Sequence, residues 1–140
     1  MYKFAEVLKD LVFESGKSLR AIGIESGIPH SQLSRYVRTT IPKFEISLKL
    51  ASYFDCSLDY LFGLSDAKGK FYGKYEITRF VPRYLKLLED NGTTHWKFSH
   101  QYNFSESGIR QWKHGIVPKM ETIVIIAENL GTSIDYLLGK

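Results

Sequence analysis

The chain is 140 residues long, 44% hydrophobic, 14% aromatic and 24% charged, which supplies apolar surface for folded cores and too little charge for a disordered polymer. Its longest apolar stretch, 116–126, is broken by Pro118, Lys119 and Glu121 and falls short of the roughly 20 apolar residues that span a bilayer, so no membrane association is expected. The net charge of +4 is unevenly placed: Lys17 to Lys43 carries a local +4 and Thr93 to Lys119 a local +3, leaving −3 elsewhere, a distribution suited to two surfaces that meet a polyanion.

MYKFAEVLKDL interleaves charges with apolar residues, unlike a signal peptide, and a cytoplasmic location is expected. Phe4, Val7, Leu8, Leu11 and Val12 recur at helical spacing, and Ser15-Gly16 ends that helix. Ser18 is an N-cap for a short helix reaching Glu25 or Ser26, with Leu19 and Ile22 inward and Gly23 small where two helices must approach. Gly27 supplies the left-handed residue of a tight helix-to-helix turn. After Ile28, which enters the core, a third helix starts at Pro29, burying Leu33 and Tyr36 and leaving His30, Ser31, Gln32 and Arg35 outward. The basic loop RTTIPK leads to a fourth helix with Leu48, Leu50 and Ala51. A short fifth helix holds the DYL segment, capped by Ser57 beside a buried Cys56, which has no second cysteine with which to form a disulfide.

The stretch SDAKGKFYGKYEIT is rich in Lys and Gly yet holds Phe71, Tyr72, Tyr75 and Ile77, so part of it is expected to pack or to run extended. Fully extended, 14 residues reach roughly 46 to 50 Å.

The pattern then repeats 76 residues later without a gap. SLDYLFG at 57–63 returns as SIDYLLG at 133–139, and Phe4, Leu11, Gly16, Ser31, Pro42, Lys43, Glu45 and Ala51 meet identical residues. The second copy has a helix from Phe80 to Asp90 stopped by Asn91-Gly92, a cap at Thr94, and Phe98 and Ser99 at the positions of Ile22 and Gly23. Asn103 lies where the first copy has Gly27, followed by Phe104 in the core. Its third helix is expected from Ser105, burying Ile109 and Trp112 and exposing Glu106, Ser107 and Gln111; KHGIVPK follows, then a helix with Val124, Ile126 and Ala127, then a cap at Ser133. The expected organisation is therefore a domain over 1–64, a linker over 65–78 and a domain over 79–140.

No nucleophile elbow, phosphate loop, HExxH motif or carboxylate cluster points to catalysis, and Asp59 and Asp135 read as caps or surface charges. His30, His95, His100 and His114 have neither cysteine partners nor paired-ligand spacing, so no metal and no cofactor are expected.

SLRAIGIESGIPHSQLSRY, the basic loop ending in proline and CSLDYLFGLSD resemble the Cro and lambda-repressor family of helix-turn-helix domains, often called the XRE family; FSESGIRQWKHGIVPKMETIVIIAENLGTSIDYLLG is similar to it as well. The resemblance implies an all-α chain of two tandem five-helix lambda-repressor-like helix-turn-helix domains, with double-stranded DNA as partner. In such a domain the third helix enters the major groove. His30, Ser31, Gln32 and Arg35, with Glu106, Ser107 and Gln111, would face base edges; Ser18, Arg38, Thr40 and Lys43, with Thr94, Lys113 and Lys119, would grip phosphates. Leu19 and His95 stand where the family commonly carries a phosphate-touching glutamine, and Gly108 costs about 1 kcal/mol of helix stability against alanine. The implied function is a transcriptional regulator repressing by occlusion; the alternative is an interaction module, antitoxin-like, in which one or both units no longer read DNA. A two-headed monomer and a homodimer both stay open.

Overall fold

Helices carry the fold throughout residues 3–140, the part that the computed structural model describes, and no strand forms among them. The chain divides into one unit ending at Gly73 and another over Lys74–Lys140.

In the first unit α1 (Lys3–Ser15), α2 (Leu19–Ser26), α3 (His30–Tyr36), α4 (Phe44–Phe54) and α5 (Leu58–Leu61) enclose one core. Phe4, Leu8, Ile22, Ile28, Leu33, Leu50 and Leu58 are all fully buried, and the Phe4 ring stacks on Phe62 with centroids 5.0 Å apart, closing α1 onto the end of α5. Three of these helices end where the backbone turns left-handed: Gly16 at φ 69° after α1, Gly27 at 77° after α2 and Asp55 at 48° after α4. The Ser57 hydroxyl caps α5 by accepting from the Tyr60 amide.

In the second unit a 3-10 turn (Ile77–Arg79) leads into α6 (Phe80–Asp90), α7 (His95–Gln101), α8 (Gly108–Lys113), α9 (Met120–Leu130) and α10 (Ile134–Leu137). The same left-handed positions recur at Gly92, Asn103 and Gly131, with φ of 67°, 62° and 68°. Ser133 caps α10 as Ser57 caps α5. Tyr84, Phe80, Ile123, Ile126 and Ile134 form the centre of this core.

Three expectations need correction. The third helix of the second unit begins at Gly108, not at Ser105. Glu106 and Ser107 stay in a turn because Gly108 is a poor helix former and the Ser105 and Ser107 hydroxyls bond each other at 2.9 Å. The amides of Gly108 and Arg110 reach back only three residues, to Ser105 and Ser107. Ile109, Trp112 and Phe104 are half-exposed rather than buried, since so short a helix shields less of its inner face. Asp135 is buried, not a surface charge, and accepts the Tyr75 hydroxyl at 2.7 Å.

Part of the bridge packs, as its aromatic residues led one to expect, and it divides between the units. The Lys68 carbonyl accepts from the Ser57 amide at 3.0 Å and the Phe71 amide donates to Asp55 at 3.2 Å, holding 65–73 on the first unit. Tyr75 bonds Asp135 of α10, and Glu76 lies against Gly139 just past that helix, where φ is 103° and a Cβ would come within 2.4 Å of the Glu76 carbonyl oxygen.

Candidate nucleic-acid interface

The first unit builds its surface from α2 and α3. Ser18 accepts from the Ala21 amide at 3.1 Å and so starts α2, while Gly27 reverses the chain. A Cβ on Gly23 would lie 2.8 Å from the Ile28 carbonyl oxygen, so α2 meets the start of α3 through bare backbone. That close contact fixes the angle at which α3 stands. Pro29, with φ −54°, precedes α3, and its carbonyl takes the amides of Gln32 and Leu33.

His30, Ser31 and Arg35 are exposed on the face opposite buried Leu33 and Tyr36. Gln32 is half-buried and its Oε1 accepts the Tyr36 hydroxyl at 3.3 Å, which turns it partly away from that face. The Arg38 guanidinium is held at the C-terminal end of α3, its Nε donating to the Ser34 carbonyl at 3.0 Å. Thr40 and Lys43 are exposed along the loop and at the cap of α4. The structure thus brings Ser18, His30, Ser31, Arg35, Arg38, Thr40 and Lys43 onto α2, α3 and the loop that follows.

The acid within this basic stretch is already neutralised. Glu25 accepts Lys17 Nζ at 2.8 Å on Oε2 and the Tyr53 hydroxyl at 2.9 Å on Oε1. The Lys17 hydrogen bond, then that from Tyr53, hold the Glu25 carboxyl below its ordinary value, and the Glu25 hydrogen bond raises Lys17. Lys17 is therefore committed to Glu25, whereas Arg20, Arg35 and Lys43 enter no salt bridge among the described residues. Tyr53, on α4, carried no sequence signal that it would join residues 17 and 25.

In the second unit Thr94 caps α7 by accepting from the Lys97 amide at 3.2 Å, and Asn103 makes the turn. Ser99, at the position of Gly23, is fully buried and its hydroxyl donates to the Trp96 carbonyl at 3.1 Å. Glu106 and Ser107 are exposed in the turn before α8, Gln111 and Lys113 on α8 itself, and Lys119 at the cap of α9. Trp112 lies within a ring cluster, 5.4 Å from Phe80 and 5.8 Å from both Tyr84 and His95, so it is a packing residue. His95 also points into that cluster and not toward solvent phosphate.

Residues 8–61 match the helix-turn-helix family. Over this segment the chain is similar to XRE-like helix-turn-helix domains. No curated protein and no solved structure matches the chain significantly. The match takes in α2, the Gly27 turn and α3. It ends before the second unit begins. No described helix is long and apolar enough to cross a membrane.

Proposed function

We propose that the chain is a sequence-specific transcriptional regulator, acting as a repressor by occluding its operator, with two tandem helix-turn-helix domains that both contact double-stranded DNA. The observation that carries this reading is the agreement of backbone geometry at the turn of each unit. A hydroxyl N-cap (Ser18, Thr94), a left-handed residue nine positions on (Gly27, Asn103) and a following helix recur in the same order. His30, Ser31 and Arg35 read base edges in one half-site, with Gln32 a weaker reader beside them; Glu106, Ser107 and Gln111 read the other. Arginine offers guanine a bidentate fork, glutamine pairs with adenine and glutamate accepts from the cytosine amino group, so the half-sites differ. Ser18, Arg38, Thr40, Lys43, Thr94, Lys113 and Lys119 supply the phosphate grip.

The test is selection from random duplexes followed by salt titration and footprinting. Six phosphate contacts give a slope of log K against log salt of about −5. Arg35→Ala and Gln111→Ala each remove protection from one half only; absent or salt-insensitive binding refutes the DNA reading.

A second reading is favoured by the exposed Glu106 carboxylate at the front of a shortened α8. Phosphate repels it, and the second unit then serves dimerisation or a protein partner, as in an antitoxin. A palindromic selected site with no effect of Gln111→Ala supports that homodimer arrangement.

A further inference from the structure

The turn that carries Glu106 and Ser107 is held by its own backbone only through long bonds. Ser107 makes no side-chain cap, and the amides of Gly108 and Arg110 rest on bonds of 3.3 and 3.2 Å to carbonyls three residues back. In the first unit the matching positions need no such help, because α3 begins at His30 and the Pro29 carbonyl accepts two amides at 2.9 and 3.1 Å. Into this gap reaches the first residue of α7. His95 Nε2 lies 2.7 Å from the Glu106 carbonyl oxygen, and His95 Nδ1 lies 2.7 Å from the Tyr84 hydroxyl.

A carbonyl oxygen only accepts, so Nε2 carries the hydrogen; in the neutral ring Nδ1 is then bare and accepts the Tyr84 O–H. Tyr84 is fully buried, and desolvation pushes its phenol well above the ordinary value, so it stays a donor. The rings of Tyr84, Phe104 and Trp112, with centroids 5.6, 6.3 and 5.8 Å from the imidazole, restrict its orientation. One side chain therefore joins α6, α7 and the turn before α8.

We infer that His95 is a positioning residue of the second unit: its Nε2–H holds the turn at Glu106 and so sets where Glu106, Ser107 and Gln111 are presented to DNA. The role at DNA rests on the reading of the second unit as DNA-contacting; the hold on the turn does not. Leu19, the counterpart in the first unit, has no polar atom with which to do this.

Three measurements on the full chain test it. Nitrogen-15 spectra of histidine-labelled protein are expected to show the Nε2–H tautomer for His95; the Nδ1–H tautomer overturns the proposal. His95→Phe keeps a ring in the cluster and removes the donor, and is expected to speed amide exchange at Gly108 and Arg110 about tenfold, the value of roughly one hydrogen bond, with Ile123 in α9 unchanged. Unchanged exchange at Gly108 and Arg110 overturns the hold on the turn. Should His95→Phe unfold the unit, His95→Gln takes its place: its side-chain amide restores a donor, and protection lost by Gln as fully as by His95→Ala overturns the proposal. On the selected operator, His95→Phe is expected to lower discrimination at the half-site protected through Gln111 about tenfold, within the range of one well-placed base contact. Faster exchange with unaltered discrimination there overturns the positioning role at DNA. If Gln111→Ala leaves the footprint intact, it is the DNA reading of the second unit that fails, while tautomer and exchange still decide whether His95 holds the turn.

Discussion

Gly23→Ala separates helix propensity from packing within the first unit. Gly23 sits inside α2, and in an isolated helix alanine is better than glycine by about 1 kcal/mol. Here, however, the added Cβ lies 2.8 Å from the Ile28 carbonyl oxygen and 3.6 Å from Leu33 Cδ1. The nearest atom is backbone, so α2 and α3 must separate, and overpacking of this kind costs about 1–3 kcal/mol. A backbone contact this close belongs in the upper part of that range, leaving a net loss of about 1–2 kcal/mol after the propensity gain. At about 4–8 °C per kcal/mol for a domain of this size, the first unit should melt at least 4 °C lower. Trp96 and Trp112 both lie in the second unit, so tryptophan fluorescence follows that unit while far-ultraviolet circular dichroism follows both. The expected result is an earlier dichroism transition with an unmoved fluorescence transition, and weaker DNA binding because α3 is displaced. Equal or higher stability of Gly23→Ala would refute the account of the close approach.

Arg35→Ala is expected to cost about 1–3 kcal/mol on the selected site and to relax preference at one base pair, whereas Lys43→Ala weakens all duplexes alike and flattens the salt slope by about one unit; competition binding on specific and random DNA compares them. The Lys17–Glu25 pair gives a pH prediction. Glu25, held low, contributes stability above the ordinary carboxylate value of about 4.3 that is lost as pH falls through its folded value, and Lys17, held high, contributes below about 10.4 and loses it as pH rises through its own. Carbon-detected titration should find Glu25 below its ordinary value and restored toward it by Lys17→Met; no change in that variant counts against the pairing. Asn103, at φ 62°, is in a conformation that costs a side-chain-bearing residue about 1 kcal/mol, so Asn103→Gly should leave stability unchanged or improved and Asn103→Val should reduce it, as read by the fluorescence melt.

Local chemistry determined much of this protein before any packing was considered. Hydroxyl caps at Ser18, Thr94, Ser57 and Ser133 and left-handed turns at Gly27 and Asn103 depend on a residue and its near neighbours in the chain, so a sequence repeating them after 76 residues announces the same helical starts and reversals twice. Gly23 was legible for the same reason, since small size at one helical position means close approach. The outward group His30, Ser31 and Arg35 followed from the period that buried Leu33 and Tyr36.

Tertiary structure decided what depended on distant partners. Tyr53 reaches Glu25 across 28 residues and Tyr75 reaches Asp135 across 60, and no local pattern marks either pair. The late start of α8 was decided by competition: Gly108 and the hydroxyl pair of Ser105 and Ser107 outweigh a helix that Ser105, as a favourable start residue, would begin. Sequence period fixes which side of a helix is apolar, but where a marginal helix begins is set by whichever hydrogen-bond partner folding brings within reach of its first turn.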